Sequence, residues 1–196
     1  MFRLKSVLAA AFAAIVSLAV VEPAWATLQY NSDTKEWVDV QQGARHSKTS
    51  SIVREVVPYD SKFKPGTIVI ETSERRLYFV LPEGQAIRYG IGVGREGFDW
   101  AGQHAITRKA EWPGWTPPAE MRKRVPDLPA YMPGGPDNPL GARALYIGST
   151  LYRIHGTSEP WTIGQAVSSG CIRLTNEDII DLYTRVKVGS MVVVHQ

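Results

Sequence analysis

The sequence predicts a mainly β domain, a barrel-like β-sandwich of mixed strands with one helix after the only cysteine. Three observations carry this. From residue 67 onward, short runs rich in β-branched and aromatic residues alternate with turn residues. Apolar residues at helical spacing follow only after residue 174. A single helix is too few for a doubly wound sheet or a (β/α)8 barrel.

The chain has 196 residues, enough for one domain with a sizeable core and hardly for two. Its net charge of +3 and lack of a long basic run argue against nucleic acid as a partner. Arg3 and Lys5, the apolar run Ser6 to Val21, and Ala24-Trp25-Ala26 form the three parts of a secretory signal. Residues 1–26 are therefore expected to be removed on export, with membrane contact only during that step. The apolar run is short for a retained anchor. No cysteine near the cleavage site offers a lipid attachment point.

Residues 27–63 are expected to be a flexible segment. Gln41 to Ser51 is polar and linker-like, and Trp37 to Val40 is a candidate short strand. Strands are then expected at Thr67–Ile70, Arg76–Leu81, Ala86–Val93 and His104–Arg108. Residues 111–143 differ in kind. Eight of the thirteen prolines lie there, interleaved with Trp112, Trp115 and Tyr131, so a pre-ordered wall or lid is expected rather than a passive crossover. Ala144–Ile147 and Leu151–His155 flank Gly148-Ser149-Thr150 as a hairpin, which mounts His155 at a strand end. After the cysteine, Thr175 is a helix cap with Asp178 as its partner. Ile179, Leu182, Tyr183 and Val186 form an apolar stripe, Gly189 lies past the end, and Met191–Val194 is a closing strand.

The chemistry concentrates between His155 and Leu174. Cys171 is the only thiol of the chain. In an exported protein it has no internal disulfide partner, which favours a reactive role over a buried filler. A thiol becomes a strong nucleophile once a base or positive field generates the thiolate, and His155 is the nearest base in sequence. Pro160 and Gly164 make the span between them a loop that can fold back. The amides of Gly170 and Cys171 are candidate oxyanion donors.

This stretch resembles the signature of the L,D-transpeptidases, the YkuD-like cell-wall cross-linking family. The matching residues are His155-Gly156-Thr157 and, after a loop, Ser168-Ser169-Gly170-Cys171-Ile172-Arg173-Leu174. Pro133 to Gly141 also resembles a family loop. The similarity covers residues 64–196, taken as the catalytic domain. Many members carry His where this chain has Ser169, which removes one polar contact but not the base. The resemblance implies an exported enzyme, in the periplasm or cell-wall compartment, acting on peptidoglycan stem peptides without a cofactor or metal. Cys171 would form a thioester with a tetrapeptide stem, expelling its terminal D-alanine. His155 would act as base. Carbapenems are implied as acylating inhibitors. Arg173 is the candidate carboxylate anchor, with Ser169, Gly156 and Trp161 as further substrate-binding candidates.

Other motifs fall away. Gly92 to Gly97 spells a dinucleotide fingerprint, but Phe98-Asp99-Trp100 offers no helix behind it. Ser32 to Lys35 and Ser61 to Lys64 are Ser-x-x-Lys tetrads without the Ser-Asp-Asn and Lys-Thr-Gly of serine transpeptidases. His155, Cys171 and His104 lack the short-spaced pair that nucleates a zinc site. Three alternatives stay open: an L,D-carboxypeptidase using water as acceptor, a sortase-like enzyme with the order His, Cys, Arg, and a non-catalytic wall-binding module.

Overall fold

The computed structural model describes residues 28–31, 36–39, 50–98, 100–124 and 126–196. The expected leader at 1–26 and most of the linker at 41–51 lie outside them. Strands β1 (Leu28–Asn31) and β2 (Glu36–Asp39) pair as an antiparallel hairpin. The domain then runs through β3 (Glu55–Pro58), β4 (Ile68–Glu71), β5 (Arg76–Val80), β6 (Gln85–Gly90), β7 (Val93–Gly94) and β8 (Gly102–Glu111). After helix α1 (Ala119–Arg124) come β9 (Arg143–Ile147), β10 (Arg153–His155), β11 (Ala166–Ser168), β12 (Ile172–Arg173), helix α2 (Asn176–Arg185) and β13 (Met191–His195).

Nine strands form one mixed sheet in the order β12-β10-β9-β8-β13-β4-β5-β6-β3. The β10–β12 and β13–β4 pairs are parallel and the others antiparallel. The sheet does not close into a barrel. Its end strand β12 is nonetheless held on its outer side by Gly92, through reciprocal backbone bonds with Arg173 of 2.9 Å each. A small parallel pair, β7 with β11, sits beside that junction.

Within the stretch expected to be flexible, Glu55–Pro58 adds an edge strand to the main sheet. The Pro-rich stretch is tied internally by two Trp115–Met132 backbone bonds of 2.8 Å and contains α1. Strand β8 is longer than expected, with a register shift between Ile106 and Arg108.

Strands β4 and β5 are apolar on both sides because both faces are covered. Ile68, Ile70, Leu77 and Phe79 join the main core, while Val69, Tyr78 and Val80 pack with Val57, Tyr59 and Phe63. The expected stripe of α2 places Ile179, Leu182 and Val186 in the main core. Thr175 caps that helix, its hydroxyl accepting from the Asp178 N–H at 3.1 Å. The other end differs from expectation: Val186 closes the helix in an extended conformation, and Gly189 serves the turn before β13 with φ +92°. Among the described residues no helix is long and apolar enough to cross a membrane.

Lys109 of β8 fixes the C-terminal end of α2. Its ammonium donates to the Tyr183 and Val186 carbonyls at 2.6 Å each, a cation on the negative end of the helix dipole. Lys109→Met keeps the stem and removes both bonds. It should lower the unfolding free energy by about 2 kcal/mol, read from the urea midpoint; an unchanged midpoint would show that the helix needs no such tie.

Candidate active site

The site grows from the parallel pairing of β10 with β12. Ile154 lies opposite Ile172, and His155 opposite Arg173. One step back along the same register, Arg153 is level with Cys171. Side chains alternate across a strand. Ile154 and Ile172 are 0% and 1% exposed and belong to the core. Arg153, His155, Cys171 and Arg173 therefore share the other face. The spacing of the motif is thus a consequence of strand period.

His155 is buried, and its Nδ1 lies 2.5 Å from the carbonyl oxygen of Gly156. A carbonyl only accepts, so Nδ1 carries the hydrogen. That leaves Nε2 unprotonated, with the lone pair a general base needs. The orienting carbonyl belongs to the very next residue, a local contact that the sequence did not identify. Burial pushes the imidazole pKa down to about 4, opposed by the Gly156 bond and assisted by the charge of Arg153. Cys171 is half-buried. Burial pushes its thiol up, while the charge, backbone and side chain of Arg153 pull it down. Burial thus favours the neutral form of both the imidazole and the thiol.

The loop before Cys171 is held by Ser168. Its hydroxyl donates to the Cys171 carbonyl at 2.6 Å and accepts from the Gly170 N–H at 3.1 Å. The Gly170 amide is therefore engaged within the loop by the Ser168 hydroxyl, which leaves the Cys171 amide as the freer of the two expected oxyanion donors. Gly170 has φ +101°, and a Cβ there would lie 2.4 Å from Tyr152. Its carbonyl accepts from the Trp100 indole at 2.9 Å, and Trp100 stacks on Tyr152 at 4.6 Å. These two aromatic residues wall the loop; neither was singled out from sequence.

The other expected site residues are distributed differently. Arg173 is 1% exposed, and its guanidinium donates to Glu159 at 3.4 Å and to the Thr162 hydroxyl at 3.2 Å. The carboxylate it grips is internal. Burial pushes the Glu159 carboxyl up and the Arg173 guanidinium down. Gly156 is a close-approach position, since a Cβ there would lie 2.3 Å from the Asn176 side-chain oxygen. The buried Ser169 hydroxyl has no hydrogen-bond partner among the described residues. The glycine string at 92–97 runs into β7 and a turn that backs this loop, the Arg95 N–H donating to Ser168 at 3.0 Å. His104 lies edge-on to Trp100.

Residues 65–194 match the family described as YkuD, the L,D-transpeptidase catalytic domain. The chain belongs to the YkuD L,D-transpeptidase catalytic domain family. The probable L,D-transpeptidase ErfK/SrfK of Escherichia coli (strain K12) is 45% identical over 132 residues, covering 64% of this chain and 42% of that protein. This chain thus spans under half the length of that curated relative. A Brucella melitensis protein described as a probable carnitine operon oxidoreductase superposes with a TM-score of 0.52 at 44% identity, covering 76% of this chain and 96% of that one. L,D-transpeptidase 3 of Mycobacterium tuberculosis, in complex with a faropenem-derived adduct, has a TM-score of 0.50 at 18% identity, covering 66% and 60%, and shares the fold.

The YkuD domain also carries a cavity of about 640 Å³ beside the loop that follows His155. Thr157, Ser158, Pro160 and Trp161 form one wall, Thr175 to Asp178 at the start of α2 another, and Ser50 to Arg54 a third. Trp161 thus lines a cleft whose walls do not include Cys171. Arg54 is tied to Asp178 at 3.2 Å across this cleft.

Ser168→Ala should leave a buried N–H and a buried carbonyl unsatisfied, at a cost of about 1–3 kcal/mol. The expected result is a lower urea midpoint together with an altered rate of Cys171 alkylation by iodoacetamide, followed by intact mass against time. Unchanged values for both would mean that the loop is held by something other than this hydroxyl.

Proposed function

We propose that this chain is an exported cysteine L,D-transpeptidase that cross-links peptidoglycan through a thioester with a tetrapeptide stem. The observation that carries the reading is the shared face of β10 and β12, which brings the His155 and Cys171 side chains to one side of the sheet, with His155 tied by Nδ1 to Gly156 so that its Nε2 keeps a free lone pair. Family membership supports the donor class. The leader at residues 1–26 supports export to the periplasm or cell-wall compartment.

The thiol proton of Cys171 passes to His155 Nε2 as the sulfur attacks the carbonyl of the third stem residue, an L-centre. The oxyanion forms against the Cys171 amide. The imidazolium returns the proton to the departing amine of D-alanine, leaving the thioester. An acceptor amine then attacks while His155 takes its proton, and the sulfur leaves. Carbapenems present a strained acyl group to the same sulfur; the faropenem-derived adduct on a protein of the same fold supports this proposal. Water in place of the amine gives the L,D-carboxypeptidase reading. A dinucleotide-dependent oxidoreductase is disfavoured, because the glycine string leads into β7 and a turn rather than a helix.

The test is incubation of purified protein with equal amounts of tetrapeptide and pentapeptide stems and one labelled acceptor, with products identified by mass. The tetrapeptide should release D-alanine and yield cross-links, the pentapeptide should not, and Cys171→Ala should abolish both products. An inverted centre beside the attacked carbonyl shifts the reacting atoms, and misplacement by about an ångström costs on the order of a hundredfold in rate. Comparable use of the pentapeptide would overturn the donor assignment.

The pH dependence follows from His155. The base must be unprotonated, and burial extends that form down to about pH 4. The acid limb of kcat/KM should therefore lie near pH 4, well below the ordinary imidazole value of about 6.5. A limb at the ordinary value would show that His155 is not the buried base described.

A further inference from the structure

We propose that Arg153 is a further catalytic residue of this chain, its guanidinium holding the Cys171 sulfur as the thiolate during attack. The proposal rests on Cys171 being the nucleophile.

The placement comes from the sheet. The register of β10 against β12 puts Arg153 level with Cys171, on the face it shares with His155. Its Nε is buried and has no hydrogen-bond partner among the described residues. One Nη donates to the Leu151 carbonyl at 3.3 Å, and the guanidinium carbon lies 5.3 Å from the centre of the Tyr146 ring. No described carboxylate pairs with it. The Tyr146 ring also carries Arg108, so that neighbourhood is already cationic. An arginine stays charged at any working pH. A partly buried guanidinium without a counter-charge stabilises an anion formed beside it.

The other groups around the sulfur do not supply that field. His155, on the same face of β10, has its imidazole pushed by burial toward the neutral form. On β12, Arg173 is tied to Glu159. From the turn after β7, Arg95 lies over the Phe98 ring at 4.7 Å. Tyr152 and Trp100 contribute uncharged rings. The direction of the charge effects agrees: Arg153 lowers the proton affinity of both Cys171 and His155. In the step itself the S–H bond breaks, its electron pair stays on sulfur beside the guanidinium, and the proton bonds to His155 Nε2.

The test uses the full chain and iodoacetamide. Cys171 is the only cysteine, so intact mass reports one alkylation event, and its rate is followed from pH 5 to 10. Arg153→Met keeps an apolar stem over Tyr146; Arg153→Gln is a second neutral variant should the first not fold, and Arg153→Lys restores the charge. Circular dichroism checks each fold. The neutral variants should shift the profile to higher pH by about one unit or more and slow alkylation at pH 7 about tenfold, while the lysine variant should return toward wild type. A neutral variant whose profile superposes on wild type overturns the proposal. A second measurement needs no variant. Wild-type Cys171 should favour anionic iodoacetate over iodoacetamide more than N-acetylcysteinamide does, and a ratio at or below that reference also overturns it. Both readouts are independent of acyl transfer. A shifted profile in a protein that releases no D-alanine sinks the transpeptidase reading and leaves Arg153 standing; an unshifted profile in an active enzyme does the reverse.

Discussion

The parallel register between two very short strands is the constraint on which the site depends. Strands β10 and β12 contribute three and two residues. Ile154 and Ile172 lock them by sitting side by side in the core. A slip of one residue would turn His155 outward-for-inward and bury charge where the isoleucines now lie. So short a pair cannot hold itself. Gly92 grips β12 from the outside with two backbone bonds, and the Leu174 N–H donates to the His155 carbonyl at 2.8 Å. Helix α2 follows at once and is fastened at both ends, by Thr175 and by Lys109. His155 and Cys171 are thus carried at strand ends clamped by their neighbours.

The glycines of the motif serve this clamping. Gly156 lets the loop after His155 pass against Asn176, whose side-chain oxygen also accepts from the Ala142 N–H at 2.8 Å. Gly141, with φ +62°, approaches the same oxygen. The end of the Pro-rich stretch, the loop after the base and the start of α2 therefore converge on one amide. A residue with a Cβ at 141 or 156 would separate them. The His-Gly pair is a packing requirement that has the added effect of presenting the Gly156 carbonyl to the imidazole.

Much of this was legible in the sequence, for identifiable reasons. Strands β4, β5, β9 and β13 and the stripe of α2 follow from local periodicity, and Thr175 from the chemistry of caps. Cys171 and His155 stand out because a lone thiol and a strand-end imidazole are rare together. What the sequence leaves unseen shares a cause: each depends on a partner distant in sequence or on a hydrogen-bond count. The place of Arg173 two residues from Cys171 suggests a carboxylate ligand, and only the fold shows Glu159 and Thr162 against it. The Gly170 amide looks available until the Ser168 hydroxyl is seen to take it. Arg153 reads as one more strand residue until the register sets it beside the cysteine. Strand β3 and helix α1 sit in polar or Pro-rich sequence whose composition hides them.

The two arginines on the active face have opposite fates, and the difference sets the electrostatics of the site. Arg173 is fully buried and paired with Glu159 at 3.4 Å. Removing either partner of such a pair strands a buried charge at a cost of about 3–5 kcal/mol, so loss of activity in an Arg173 variant reports first on the fold. Arg153 is only partly buried and has no described carboxylate. Its field acts on Cys171 and His155 in the same sense, favouring the thiolate and disfavouring the imidazolium. A permanent thiolate–imidazolium pair is therefore not the resting state. In the proposed mechanism the thiol would stay protonated until a substrate carbonyl arrives, and the proton would then move to an imidazole that binds it weakly and returns it readily to the leaving amine. Weak basicity slows the first transfer and speeds the second. An uncompensated guanidinium at the sulfur offsets the slower half of that exchange by stabilising the charge that His155 alone would generate poorly.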